Sequence, residues 1–427
     1  MKTADYTDRI CITAYGAVTP LGNTIKDIFE NLRDSKSGIT EIKKFDHSSL
    51  KTSHAGVPVE GNDLIHWPRK NRFRSGDITY AQIAARRLQE QLNINEIYRP
   101  EEIGCIVGVE EPAPDVDHIL ELNKNKPIKA DRCSQIDEAI SYFRVVDCLD
   151  TDTISIINSV HDIISFSGTT YGHLGLCCAS TQSVGLAMRS IARGEIKAAI
   201  CGGIGAKVTP VTLARMEGIG VISTDEQFMF KNRSRPFDRR RSGFMLSEGA
   251  VLFTLEKESN IRARKAKPLA LLKGYGGALC AQNILTPHTD DLEMILSMQR
   301  AIDDAGLEPA DIGMINAHAT STVQNDFHEA RAISRVFNKP SPPVTATKSN
   351  HGHMMAAAGA MEILTILASF QNNFIPAIIN LDEPDPLFPQ GVSFVRSTTY
   401  KPIRYVLKNS FGMGGGAASL ILENPDF

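Results

Sequence analysis

Two stretches of this chain form helices without a polar face. Thr181 to Arg193 carries small and apolar residues on most sides, and Met354 to Ser369 does the same with a run of alanines. A helix that is apolar nearly all round must be covered on all sides, so both belong inside the molecule. The rest of the pattern supplies the cover. Short apolar strands alternate with helices along the whole chain. Strands are expected at Ile10 to Ala14, Ile103 to Val109, Leu174 to Cys177, and Ala198 to Cys201, the last stopped by Gly202 and Gly203. Ala250 to Leu255 closes a first half. Leu269 to Tyr275, Met314 to Ala317, Val344 to Thr347, Tyr405 to Asn409 and Ala418 to Leu422 repeat the logic. Helices are expected at Ile25 to Arg33, Ile78 to Leu92, Ile154 to Ser165, Leu292 to Ala305 and Asp326 to Phe337. Strands alternating with helices in two halves imply an α/β protein with mixed sheets. The halves are 1–255 and 256–427, with an irregular cap over 110–150 that holds Pro112, Pro114 and Pro127.

Charge excludes some functions. Lys and Arg total 46 against 49 Asp and Glu, a net charge of −3. No basic excess points to nucleic acid, and one Trp with 7% aromatics gives little to stack bases on. The most apolar run, His353 to Phe370, is interrupted by Glu362, so no membrane span is expected. The N-terminus has no apolar signal core. The eight Cys form no C-x-x-C pair and read as reduced thiols of a cytoplasmic protein.

Three runs carry chemistry. Cys177 and Cys178 lie in Gly175-Leu176-Cys177-Cys178-Ala179-Ser180, between a strand and a buried helix. A thiol at a helix N-terminus meets the positive end of the dipole and unpaired N–H groups, both of which favour thiolate. The second run, Asn316-Ala317-His318-Ala319-Thr320-Ser321-Thr322, puts an imidazole at a strand end. The third, Lys348-Ser349-Asn350-His351-Gly352-His353, adds a lysine and two more imidazoles. A nucleophilic Cys with two His at strand-end loops fits acyl transfer followed by proton or carboxylate chemistry. A metal site at His351-x-His353 needs a third ligand, for which His318 is the one candidate. It leaves the Cys and Lys unexplained.

Together these runs resemble the β-ketoacyl-acyl carrier protein synthases, condensing enzymes of the thiolase superfamily. The nearest type is the ketosynthase II group and its type II polyketide relatives. The resemblance starts at Val18-Thr19-Pro20-Leu21-Gly22-Asn23. It passes through Ser234-Arg235-Pro236-Phe237-Asp238 and ends at Asn409-Ser410-Phe411-Gly412-Met413-Gly414-Gly415. It implies a thiolase fold of two similar halves in α-β-α-β-α layers. It implies a nucleophile at Cys177, with Cys178 as the alternative. His318 and His353 would assist decarboxylation, Lys348 would place charge beside them, and Glu329 would orient the lysine. The N–H groups of Cys177 and Met413 would form an oxyanion hole. Thr320, Thr322, Thr286 and Phe411 would hold the substrate arm. The resemblance also implies an acyl carrier protein as partner, which supplies the phosphopantetheine arm. No further cofactor and no metal follow. A homodimer, or a heterodimer with a ketosynthase-like sister, is expected.

The departures keep alternatives open. Gly175-Leu176 stands where the family has Thr-Ala, Met413 replaces a gating aromatic, and Glu110-Glu111-Pro112 replaces Gly-rich sequence. A silent subunit of chain-length-factor type and an acyltransferase on the same scaffold are the competing readings. A thiolase would need a second Cys in Gly412 to Gly416, which has none. A carrier-docking patch would be basic, with Lys70, Arg72 and Arg74, or Arg239, Arg240 and Arg241, as candidates.

Overall fold

The computed structural model describes residues 8–58, 75–111, 153–280, 282–283 and 285–427. The proposed cap beyond Glu111 and the triad Lys70, Arg72 and Arg74 lie outside them.

Eleven strands form one continuous sheet. They are β1 (Ile10–Val18), β2 (Ile103–Val109), β3 (Thr170–Leu174), β4 (Ala198–Gly205), β5 (Gly249–Lys257), β6 (Ala270–Leu279), β7 (Met314–Asn316), β8 (Pro343–Thr345), β9 (Ser393–Phe394), β10 (Tyr405–Gly412) and β11 (Gly416–Glu423). Their order is β9-β8-β7-β10-β11-β6-β1-β5-β4-β2-β3. Outward from the centre, the first half runs β1-β5-β4-β2-β3 and the second β6-β11-β10-β7-β8. With the short edge strand β9, which extends the second half beyond β8, left aside, both place their first, fifth, fourth, second and third strands in that order, so the two halves share one topology. β1 and β6 pair only from Ile10↔Leu272 to Ile12↔Ala270, so the halves meet at one end. We propose that they divide after β5.

Six helices complete the layers: α1 (Gly76–Gln91), α2 (Thr153–His161), α3 (Ala179–Ala192), α4 (Leu292–Ala305), α5 (Val323–Val336) and α6 (Ala358–Asn372). α1 packs on β1 and β5 with α2 beside it, and α4 packs on β6 and β11 with α5 beside it. α3 touches β2 and β4 on one side and β6 and β11 on the other. α6 touches β4, β5 and β10. The two helices without a polar face are therefore the middle of five layers. Residues 358–370 are all buried.

β4 does not stop at Gly202-Gly203 but runs on to Gly205. The glycines serve packing rather than termination. A Cβ on Gly203 would lie 2.6 Å from the Ala356 carbonyl oxygen and 2.6 Å from the Ser180 Cβ. Its absence lets the starts of α3 and α6 press onto the strand. The expected helix from Met354 is also broken. A 3-10 turn at Met355–Ala357 precedes α6, and Met355 has φ +49°. Among the described residues no helix is long and apolar enough to cross a membrane.

Candidate active site

The chemistry-bearing loops meet at the ends of α3 and β10. Cys177 sits in a 3-10 turn, Leu176–Cys178, between β3 and α3. Leu176 adopts φ +49°, a left-handed conformation costly for a branched side chain, and this bend presents the next residue. Cys177 lines a cleft of about 310 Å³. Its Sγ lies 3.1 Å from His353 Nε2. Cys178 points away, with its Sγ 3.2 Å from the Ser410 carbonyl oxygen and 3.1 Å from that of Gly416. Both thiols are free.

The imidazole tautomers follow from their partners. His353 Nδ1 accepts the Met355 N–H at 3.1 Å, which leaves the proton on Nε2, facing Cys177. His318 Nδ1 lies 3.1 Å from Lys348 Nζ. An ammonium only donates, so His318 also carries its proton on Nε2. The Cys177, His318 and His353 ligand-type atoms fall within 4.8 Å of one another. His351 stays apart, its Nε2 3.1 Å from the Thr347 hydroxyl, so the three imidazoles do not form one site. Burial, then the nearby Lys348 charge, holds His318 and His353 well below the usual imidazole range. Both are neutral N–H donors.

The thiol differs from the sequence expectation. Burial raises Cys177 to about 12, and the Glu110 carboxyl adds to the rise. Lys348 and the backbone N–H groups of Cys177 and Met413 pull it down without prevailing. The helix terminus is present, but desolvation outweighs it. Those two N–H groups are therefore close enough to the thiol to favour its anion. Met413 follows Gly412, the last residue of β10, which lies beside the Cys177 turn.

Lys348 is fully buried, and its three donors are all used. They go to His318 Nδ1, the His318 carbonyl oxygen at 2.6 Å, and Glu362. Glu329 does not touch the lysine. It accepts the His318 and Ala319 N–H groups at 2.8 and 2.7 Å, and Asn409 Nδ2 at 3.3 Å. It therefore pins the His318 loop, where Ala319 and Ser321 have positive φ. Burial raises its carboxyl to about 7, against those hydrogen bonds. The lysine's carboxylate partner is Glu362, whose second oxygen lies 2.8 Å from Lys408 Nζ. Burial opposes ionisation of Glu362, but the two ammoniums outweigh it and hold the carboxyl below its usual range. The sequence signal was present: Glu362 and Lys408 are charges inside segments that are otherwise buried.

Thr286, Thr320, Thr322 and Phe411 all line the cleft. The Thr320 and Thr322 hydroxyls bond to each other at 2.9 Å, and Thr322 also caps α5. Phe411 stands edge-on to His318, ring centres 6.0 Å apart. The carboxylates after β2 separate: Glu111 is exposed, while Glu110 turns inward and is raised to about 7 by burial. The Arg239–Arg241 run is not a free basic patch. Arg239 pairs with Glu383, Arg240 with Asp238 and Asp382, and Arg241 with Asp385. Asp238 is a near neighbour in sequence, but Asp382, Glu383 and Asp385 come from far along the chain, so sequence proximity showed only part of the neutralisation.

Residues 7–260 match the family model for the β-ketoacyl synthase N-terminal domain, and 269–382 match that for the C-terminal domain. The chain belongs to the β-ketoacyl synthase family. The 3-oxoacyl-[acyl-carrier-protein] synthase 2 of Vibrio cholerae is 30% identical over 435 residues, covering 97% of this chain and 99% of the relative. That of Synechocystis sp. is 29% identical over 430 residues, covering 97% and 98%. Among solved structures, the ishigamide ketosynthase/chain length factor superposes with a TM-score of 0.84 at 26% identity, covering 98% and 99%. A β-ketoacyl synthase from Burkholderia phymatum superposes at 0.86 with 23% identity, covering 98% and 99%, and shows the same fold.

Proposed function

We propose that this β-ketoacyl synthase performs decarboxylative condensation of a Cys177-bound acyl group with malonyl-carrier protein, in a fatty-acid or polyketide pathway. One observation carries the assignment of roles. A thiol, two imidazole N–H donors and two backbone N–H groups converge at the floor of one cleft.

In the first step the Cys177 sulfur attacks the acyl thioester carbonyl. The N–H groups of Cys177 and Met413 stabilise the oxyanion. The carrier's thiol leaves with the proton that Cys177 gave up, and a new thioester remains on Cys177. In the second step malonyl-carrier protein loses CO2. The resulting enolate oxygen receives hydrogen bonds from His318 and His353 Nε2–H. Neutral imidazoles suit this role, because Nδ1 accepts from its own partner while Nε2–H stays free to donate. The enolate carbon then attacks the Cys177 thioester. The product is a β-ketoacyl thioester two carbons longer, and the thiolate released takes up a proton.

Lys348 fixes the His318 tautomer, and Glu329 fixes its loop. The pantetheine arm is supplied by the carrier protein, past Thr320, Thr322, Thr286 and Phe411, with no other cofactor. Cytoplasmic operation suits such a carrier. A dimer with a second copy or a ketosynthase-like sister is consistent with the edge strand β3, which exposes Tyr171 and Leu174. The test is product formation: purified protein, an acyl thioester and malonyl-carrier protein should yield the elongated β-ketoacyl product. Acylation without elongation would make it an acyltransferase. Neither event, with a co-expressed sister that does both, would make it a silent subunit.

A further inference from the structure

The cleft lining holds one buried, unpartnered polar atom that the mechanism above does not use. Glu293 lies in the first turn of α4, lines the cleft beside Thr286 and Met294, and is only 2% exposed. Its Oε1 accepts the His288 N–H at 3.0 Å. Its Oε2 is buried and has no partner. Among the described residues, Glu293 is the one that both lines this cleft and carries such an atom. A buried carboxylate oxygen left unpaired is costly, and a site tolerates it where a ligand completes it. Several other polar groups of the cleft already have partners within the protein. The Thr320 and Thr322 hydroxyls bond each other, Ser242 bonds Ser223, and Asn325 bonds Asp326.

We infer that Glu293 Oε2 is a specificity-determining acceptor for an N–H donor of the incoming thioester. This rests on the condensing reading and names a substrate contact within it. The cleft runs from a mouth marked by exposed Ile219, Leu285 and Val323 down to Cys177, so a substrate arm must pass this lining. A pantetheine arm presents two amide N–H groups along its length. An amino-substituted acyl chain would present the same chemistry from the other end. A carboxylate oxygen accepts and never donates, so the contact selects for N–H and against an ester or ether in that position.

The test uses Glu293→Gln, which retains an acceptor for His288 but can turn a donor toward the cleft. Acylation of Cys177 is followed with acetyl-pantetheine, with its analogue in which an amide N–H is replaced by oxygen, and with an ω-aminoacyl-pantetheine. Wild type should prefer the amide over the ester analogue. In E293Q the KM for acetyl-pantetheine should rise about tenfold with kcat and Tm unchanged, and the preference should vanish. Loss confined to the aminoacyl substrate would place the donor on the acyl chain. Unchanged KM for all three, or a fall in Tm with no change in preference, would overturn the inference and leave Glu293 as a brace for residues 285–291. No acylation of the wild type by any donor would instead remove the condensing reading.

Discussion

Replacing Glu362 by Gln tests whether the buried lysines are held by one carboxylate. Lys348, Lys408 and Glu362 are all fully buried, and Glu362 serves both ammoniums. The trio carries a net charge of +1 with Glu362 ionised. The amide preserves shape and volume but raises the buried charge to +2. Removing one partner of a buried pair costs about 3–5 kcal/mol. Here both ammoniums lose their counter-ion, so the upper part of that range is expected, softened by neutralisation of one lysine. Denaturant unfolding should show this as a lowered midpoint with unchanged slope. Condensation should fall further than acylation, because Lys348 holds the His318 tautomer while Cys177 meets His353. The second variant, Lys408→Met, returns the trio to +1 when combined with Glu362→Gln. The double variant should be more stable than the two single effects summed, by about 1–3 kcal/mol. A single-variant loss below about 1 kcal/mol, or strict additivity, would refute the argument.

Three further outcomes follow from the same geometry. Glu110 raises the Cys177 thiol, so Glu110→Gln should shift the pH profile of iodoacetamide alkylation at Cys177 downward. Glu110 itself ionises near 7, so the two profiles should differ above that pH and converge below it. An unchanged profile would mean the two groups do not interact. Glu329→Gln replaces one acceptor oxygen by a donor facing the Ala319 N–H. Elongation should drop at least tenfold while the acyl adduct on Cys177 still forms, measured by product and adduct yields. Gly203→Ala puts a methyl 2.6 Å from the Ala356 carbonyl oxygen, and should cost about 1–3 kcal/mol by denaturant unfolding.

The layered fold was legible because its middle is unusual. Helices with apolar residues on all sides leave few places to go, and both proved to be the central layer. Strand ends were less legible where glycine served packing, as at Gly202-Gly203, since a glycine inside a strand and one that stops it read alike. Cys177, His318, His353 and Lys348 could be found because each sits in a short run beside a strand end. Their supports could not be ranked from sequence. Glu329 and Glu362 both lie on helices near these loops, and only the tertiary arrangement gives the backbone N–H groups to the first and the lysine to the second. The charge of Arg239–Arg241 and the neighbouring Asp238 were visible, but the partners from 382–385 were not. The thiol's raised pKa depends on desolvation, which no local motif encodes.

The central claim is that Cys177 carries the acyl group. Intact-protein mass spectrometry after incubation with an acyl-carrier protein, followed by peptide mapping, tests it most directly. The account predicts one acyl adduct, mapped to Cys177 and discharged by malonyl-carrier protein with release of the elongated product. An adduct on Cys178, or none while a sister subunit becomes acylated, would contradict it.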